Sequence, residues 1–260
     1  LSSLLFLQIL LKHGIPAFFI LMAMEWLYIR LSGDKNLAPV RLNDTIVSTL
    51  LGSFQLLFLV GMELIGLAWH MVSYEYVFRN FRVTTIDVKA NPWLWFVVGL
   101  LAKDLAYYWM HRYLHVYHVG WISHSVHHSG ETYDLATALR QGAAQPLLGF
   151  IFYLPIAALG YPPAAFMAHS QLNTNYQFWV HTDVINRLPF GLEYVLNSPQ
   201  AHRLHHRPPQ NSWLKRLKSH GQGTLPMGHL STYSTQVLEL RSKVLGFLCL
   251  NFYSARIFWE

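Results

Sequence analysis

Apolar residues fall in long blocks along this chain instead of alternating with polar ones. The block from Ile15 to Leu31, IPAFFILMAMEWLYIRL, opens on Pro16, which suits a first helical turn, and approaches the ~20 residues that cross a bilayer core. The preceding LSSLLFLQILL extends it or is the remnant of an earlier span; a cleaved signal peptide competes, but no basic leader or small-residue cleavage site is evident. A second block runs from Thr45 to Val72, interrupted only by Gln55 and Glu63. The third covers Trp93 to about Met110, after Pro92. The fourth, Ala143 to Gly160, and the fifth, Ala164 to Val180, are separated only by Tyr161, Pro162 and Pro163, a connection that predicts a tight helical hairpin. Period-2 alternation is absent over any useful length, so the pattern predicts an all-α, polytopic membrane protein with about four to five membrane helices.

A descending and an ascending span between residues 143 and 180 return the chain to the side it left, so the His-rich stretches flanking them face one compartment. Charge does not say which: Arg30, Lys35 and Arg41 lie in one loop and Arg79, Arg82 and Lys89 in the next, a tie under the positive-inside rule.

Composition sharpens the membrane reading. Charged residues make up 12% of the 260, about half the ~25% of soluble domains, and the mean hydropathy is +0.25. These values argue against a free cytosolic globule, a disordered tail and a charge-rich nucleic-acid binder, while abundant Phe, Trp and Tyr suit interfacial anchoring. The single Cys249 excludes an intrachain disulfide framework and any multi-thiolate metal site. The net charge of +6 invites an acidic partner, but residues 1–206 carry 12 Lys and Arg against 11 Asp and Glu, and residues 207–260 carry 7 against 2. The basicity therefore belongs to the last segment. The chain starts on Leu, which suggests a fragment or a processed product.

Histidine is what the composition has in excess: 15 residues, 11 of them between positions 111 and 206. His111 and His115 are spaced i, i+4; His124, His127 and His128 form HSVHH, and His202, His205 and His206 form HRLHH. At 3.6 residues per turn each set falls on one helical face. An HxxxH pair places two imidazoles on one metal, and an HxxHH triplet serves one metal or divides its nitrogens between two. Eight imidazoles exceed the three or four protein ligands of one zinc ion and suit two first-row metals; imidazole alone does not choose among Fe, Zn, Cu and Ni. His181, after the fifth span, lies at the same membrane face and is a candidate ninth ligand. His118 is as well suited to the interface as to a metal, and His13, His70, His220 and His229 read as ordinary surface or core residues.

These motifs resemble the fatty acid hydroxylase superfamily of membrane non-haem di-iron enzymes. The resemblance rests on DLAYYWMHRYLH, WISHSVHHSGETYDLATALRQ, YQFWVHTDVIN and LNSPQAHRLHH in order, over about residues 15 to 206. The extensions ATALRQ and YQFWVHT favour its pterin-dependent, ether-lipid-cleaving branch over sterol oxidases. The resemblance implies a fatty acid hydroxylase-like membrane domain over 1–206. It implies two iron ions held by His111, His115, His124, His127, His128, His202, His205 and His206, with His181 added. It further implies O2-dependent hydroxylation of the ether-adjacent carbon of an alkylglycerol lipid, giving a fatty aldehyde and glycerol, with electrons from tetrahydrobiopterin. The implied location is the endoplasmic reticulum membrane, multi-pass, with the His boxes facing the cytosol. No nucleic-acid partner is implied, and the residues that would bind the pterin are not identified.

Helical spacing adds carboxylates behind the ligands. Asp104 lies seven residues before His111 and eleven before His115, where it can accept an imidazole N–H or serve as a structural partner of Lys103. Glu131 and Asp134 follow the second box and suit ligand or pterin hydrogen bonds, or a solvated loop. Arg140 suits a glycerol or phosphate oxygen, or a plain interfacial place; Tyr107, Tyr108 and Trp109 suit packing.

The pattern breaks twice. Val116 stands after the first box where the ether-lipid branch usually has Glu. From Arg207 onward the chain departs from the family, as an alternative splice form or a frameshift would make it, leaving 207–260 an atypical basic segment. Besides the ether-lipid monooxygenase, the sequence admits a sterol or fatty acyl hydroxylase or desaturase with the same boxes, or a membrane protein that binds metal without turnover. A metal transporter ranks last, because its ligands would line a path across the bilayer.

Overall fold

The computed structural model describes residues 14–64 and 69–206. Within them the chain is helices, 3-10 turns and loops with no extended strand, as the missing alternation predicts. The expectations for 207–260, and those for His13, His220 and His229, lie outside the described residues.

Helix α1 (Ile15–Ser32) carries Pro16 in its first turn and ends at Gly33, whose φ of 63° is the left-handed region open to glycine. Helix α2 (Leu42–Leu64) follows a short loop. The stretches Ile15–Ser32 and Leu42–Met62 are long and apolar enough to cross a membrane, and only 6% of each apolar window is buried inside the protein. Phe19, Ile20, Met24, Leu50, Phe54 and Leu57 all point outward. Apolar helices left uncovered on this scale suit hydrocarbon and not water.

The remaining expected spans differ in form. Residues 65–68 lie outside the described residues, and helix α3 (Trp69–Phe81) runs past Val72, the expected end of the second span. Helix α4 (Pro92–Val116) is capped by Asn91, whose side chain accepts the Leu94 N–H at 3.2 Å. At ~1.5 Å per residue its 25 residues reach across a bilayer core, yet its inward side carries Lys103, Asp104 and His111.

The fourth expected span, Ala143 to Gly160, is not one helix. It is broken into α6 (Gln145–Gly149), a 3-10 turn (Phe150–Tyr153) and α7 (Leu154–Ala158). Pro146 and Pro155 explain the break, since each lacks an N–H and is tolerated only in a first helical turn. Helix α8 (Pro163–Trp179) has 17 residues and buries His169 and Asn173. Helices α3, α4, α7 and α8 share the core of Tyr74, Ile156, Ala157, Tyr161 and Phe166, in which Tyr74 stacks on Phe166 and donates its hydroxyl to the Tyr161 carbonyl at 3.0 Å.

Two close approaches set the corner that carries chemistry. After Tyr117, helix α5 (His118–His124) folds back on α4, and a Cβ at Gly120 would stand 2.7 Å from the Leu114 Cα. A Cβ at Gly142 would stand 2.2 Å from the Ser123 carbonyl oxygen, so the loop after Arg140 passes against the end of α5 only because residue 142 has no side chain. Helix α9 (Pro199–His206) closes the described chain.

Candidate metal centre

His111 and His115 come from α4, His124 from the last turn of α5, and His127 and His128 from a 3-10 turn (His127–Ser129). His181 follows α8, and His202, His205 and His206 lie on α9. The second box is therefore not on one continuous helix, as the i, i+3, i+4 spacing had it. All nine candidate histidines nevertheless converge, in two sets. His111, His115, His124, His128 and His205 form one, and His127, His181, His202 and His206 the other; within each, the offered ligand atoms lie within 4.8 Å of one another. Each HxxHH box is divided between the sets, His124 and His128 parting from His127, and His205 from His202 and His206. The sets share a wall, with the His128 and His206 rings stacked 4.3 Å apart.

The nitrogen geometry fits a cation. The Nε2 atoms of His111, His115 and His124 are mutually 2.9, 3.1 and 3.1 Å apart. Each such nitrogen either carries a proton or presents a lone pair. Among three in mutual contact, two must therefore be alike, and no set of tautomers turns all three contacts into hydrogen bonds. His205 makes a second triangle with His111 and His115, at 3.2 and 3.0 Å. A metal ion on the lone pairs removes the conflict. Metal–nitrogen bonds of about 2.1 Å give cis nitrogens roughly 3.0 Å apart in an octahedral shell, which matches these edges. The second set has the same spacing, His127 to His181 at 3.2 Å, His181 to His202 at 3.0 Å and His202 to His206 at 3.3 Å. His128 adds a buried Nε2 without a hydrogen-bond partner among the described residues.

Outer contacts hold several rings with Nε2 facing inward. His124 donates from Nδ1 to the Gln145 side-chain oxygen at 2.9 Å, His127 to the Arg140 carbonyl at 3.0 Å, and His181 to the Gln177 carbonyl. Such partners fix the tautomer and orientation of a ligating imidazole. Burial pushes His127 down to about 4. Burial first, and neighbouring imidazoles second, hold His128, His181, His202, His205 and His206 well below the ordinary value. These six rings are thus neutral at pH 7, with their lone pairs free of proton competition.

The sign of the pH dependence follows. An unfolded chain protonates its histidines near pH 6.5, whereas folded His127 does so only near 4. The unfolded state then binds more protons throughout that window, and stability falls as pH falls through it. Metal-free protein is expected to lose stability progressively from about pH 6.5 to about 4, and ferrous iron to move the loss to lower pH. Circular dichroism against pH, with and without a chelator, checks this; overlapping acid transitions would count against a metal on these rings.

The other candidates are placed as follows. Asp104 is buried on α4 beside Tyr107. The Glu131 carboxylate is exposed and paired with Arg41, a surface ion pair instead of a bond to an imidazole. Asp134 caps the 3-10 turn Leu135–Leu139 in a capping box with Thr137. Arg140 is buried against Asp44 at 2.8 Å, which spends its charge inside the protein. His118 and Trp109 are exposed.

Sequence reasoning missed Gln145, Asp44, Glu25 and Tyr133. The Tyr133 ring lies 5.2 Å from His206 and 5.8 Å from His181, and its hydroxyl donates to the Val180 carbonyl at 2.8 Å. Glu25 did leave a signal, a lone carboxylate inside an apolar block.

Comparison with known proteins agrees with this site. A family model described as fatty acid hydroxylase matches residues 96–220. Human alkylglycerol monooxygenase is 39% identical over 202 residues, covering 75% of this chain and 42% of that protein. The Xenopus tropicalis protein of the same name is 39% identical, with 73% and 40% covered, and the Caenorhabditis elegans one 34% identical, with 70% and 34% covered. The chain thus spans about two fifths or less of the length of these curated relatives. No solved structure matches. The matched residues 96–220 contain all nine clustered histidines, and this part of the chain is a fatty acid hydroxylase family domain.

Proposed function

We propose that this chain carries the catalytic site of a membrane di-iron monooxygenase that hydroxylates the ether-adjacent carbon of alkylglycerol lipids. The observation that supports it most is the division of nine buried or half-buried imidazoles into two adjoining sets; the relatives' name supplies the substrate class and the reaction type. His111, His115, His124, His128 and His205 would hold one iron, and His127, His181, His202 and His206 the other. Iron bound there supplies the activation of O2. In the net reaction one oxygen atom enters the C–H bond beside the ether oxygen. The other leaves as water, with two electrons and two protons from tetrahydrobiopterin and solvent. The resulting hemiacetal separates into fatty aldehyde and glycerol.

The chain's own residues do the remaining work. Neutral imidazoles bind metal without shedding protons, and Gln145, the Arg140 carbonyl and the Gln177 carbonyl aim three of them. The Tyr133 ring, 5.2 Å from His206 and 5.8 Å from His181, would help keep bulk water from the four-histidine set. Asp104 supplies a buried carboxylate on the α4 wall behind His111, while Glu131 stays with Arg41 at the surface. The outward apolar faces of α1 and α2 hold the site in the bilayer where ether lipids reside, and an apolar groove of about 700 Å³, lined by Trp109, Tyr113, Leu148 and Ile151 among others, suits an alkyl chain. A soluble pterin reaches the histidines from the cytosolic side of the endoplasmic reticulum membrane in this reading.

One observation favours a second reading, a family member that binds metal without pterin-dependent turnover: Val116 after the first box is 40% exposed and supplies no carboxylate. The deciding experiment measures iron in the membrane-purified full chain and its oxidation of an alkylglycerol with and without tetrahydrobiopterin. The expected result is about two irons per polypeptide and aldehyde formed only with the pterin. Iron without turnover selects the second reading, turnover of a sterol or fatty acyl substrate instead moves the substrate assignment within the family, and zinc alone overturns the di-iron reading.

A further inference from the structure

We infer that Glu25, a carboxylate inside the first apolar helix, is a positioning residue for the four-histidine set, so that α1 is part of the metal centre and not only an anchor. The inference rests on the metal reading above.

Glu25 is the one buried residue of α1, 8% exposed. A carboxylate in an apolar helix is costly unless partnered, and both of its oxygens are. One accepts the backbone N–H of Leu135 at 2.7 Å, the other the hydroxyl of Thr182. Thr182 follows His181 directly and also accepts the Val184 N–H at 3.2 Å, which holds the turn after the ligand. Leu135 opens the 3-10 turn two residues after Tyr133, whose hydroxyl closes back on Val180. One side chain thus ties the segment that carries Tyr133, whose ring lies by His181 and His206, to the turn that follows His181. Phe18, seven residues earlier on the same face of α1, stacks on Phe178 of α8 at 4.2 Å and keeps the helix in place. In the five-histidine set His111, His115 and His124 are held by other means, through α4, the fold-back of α5 and Gln145, and only His128 and His205 share an element with the other set. Loss of the Glu25 strap is therefore expected to act on one set and spare the other.

The test titrates the full chain with ferrous iron under argon and reads the iron count and the two binding steps. Glu25→Ala is expected to weaken one step by about 10- to 100-fold and to leave the other within about twofold, so that it resembles His181→Ala and not His115→Ala. Thr182→Ala is expected to weaken the same step, with Thr182→Ser restoring it. Glu25→Gln keeps an acceptor for Leu135 and offers a donor to the Thr182 oxygen, so both steps are expected within about threefold of the parent; it also supplies a folded comparison if Glu25→Ala does not fold. Equal weakening of both steps by Glu25→Ala and Thr182→Ala would show a general packing role and overturn the inference. So would two unchanged steps. A parent chain that binds no iron defeats the metal reading itself, a result distinct from either.

Discussion

Replacement of His127 by Ala is expected to bring turnover of an alkylglycerol to the level of iron-free protein, while iron falls from about two to about one per polypeptide. His127 links the four-histidine set to the scaffold. Its Nε2 faces the His181 Nε2 at 3.2 Å, and its Nδ1 donates to the Arg140 carbonyl at 3.0 Å. Its ring lies 4.5 Å from His206 and 5.3 Å from His128 of the other set. Burial lowers its pKa to about 4, so its lone pair is available at neutral pH. Alanine removes the nitrogen, leaves the Arg140 carbonyl without this donor and opens a gap at the shared wall. His118→Ala is the matched control, since His118 is exposed beyond the end of α4, and it is expected to retain parent activity. Turnover of His127→Ala at the parent rate would defeat the assignment of this ring as an iron ligand.

Asp44→Ala is expected to cost about 3–5 kcal/mol of stability, as when one partner is removed from a buried ion pair. Asp44 and Arg140 face each other at 2.8 Å with side chains 11% and 10% exposed. The other Asp44 oxygen accepts the backbone N–H groups of Glu131 and Thr132 and the Thr132 hydroxyl, each at 3.0 Å. Alanine would leave the Arg140 charge buried and the Glu131 and Thr132 N–H groups without this acceptor, while the Thr132 hydroxyl keeps Asp134 at 3.0 Å. The Arg140 backbone carries the acceptor for His127, so iron binding at the four-histidine set should weaken together with stability. Detergent-denaturation midpoints for the single variant and for Asp44→Ala with Arg140→Met check the mechanism. The double variant is expected to recover part of the loss, because the unpaired charge is gone. A single-variant midpoint within error of the parent would mean that the pair contributes nothing.

Much of the site was legible before any coordinates. The i, i+4 and i, i+3, i+4 spacings of His111 to His206 are local patterns, and each placed its rings on a common side. His181 stood out only through its position after the fifth apolar block, yet it lies 3.0 Å from His202. Glu131 reads equally well as a partner of the cluster, and nothing in its neighbours foretold that Arg41, ninety residues away, would take it. Asp44, Gln145 and Glu25 act through contacts across 96, 21 and 110 residues, which no window on the sequence contains. The fourth apolar block failed as a single span for a local reason, its prolines at 146 and 155.

Low charge density made the chain a membrane candidate at the outset, and the uncovered faces of α1 and α2 give that reading its physical form. By itself the sequence pointed to the helical class and to eight box imidazoles, with His181 as a candidate ninth, because backbone periodicity and ligand chemistry are properties of neighbouring residues. Only the tertiary structure decided how those imidazoles divide. Whether His127 joins His128 or leaves it depends on α5 ending at His124 and a tighter turn rotating the next rings apart. That geometry exists only where Gly120 and Gly142 let α5 lie against α4 and the loop after Arg140.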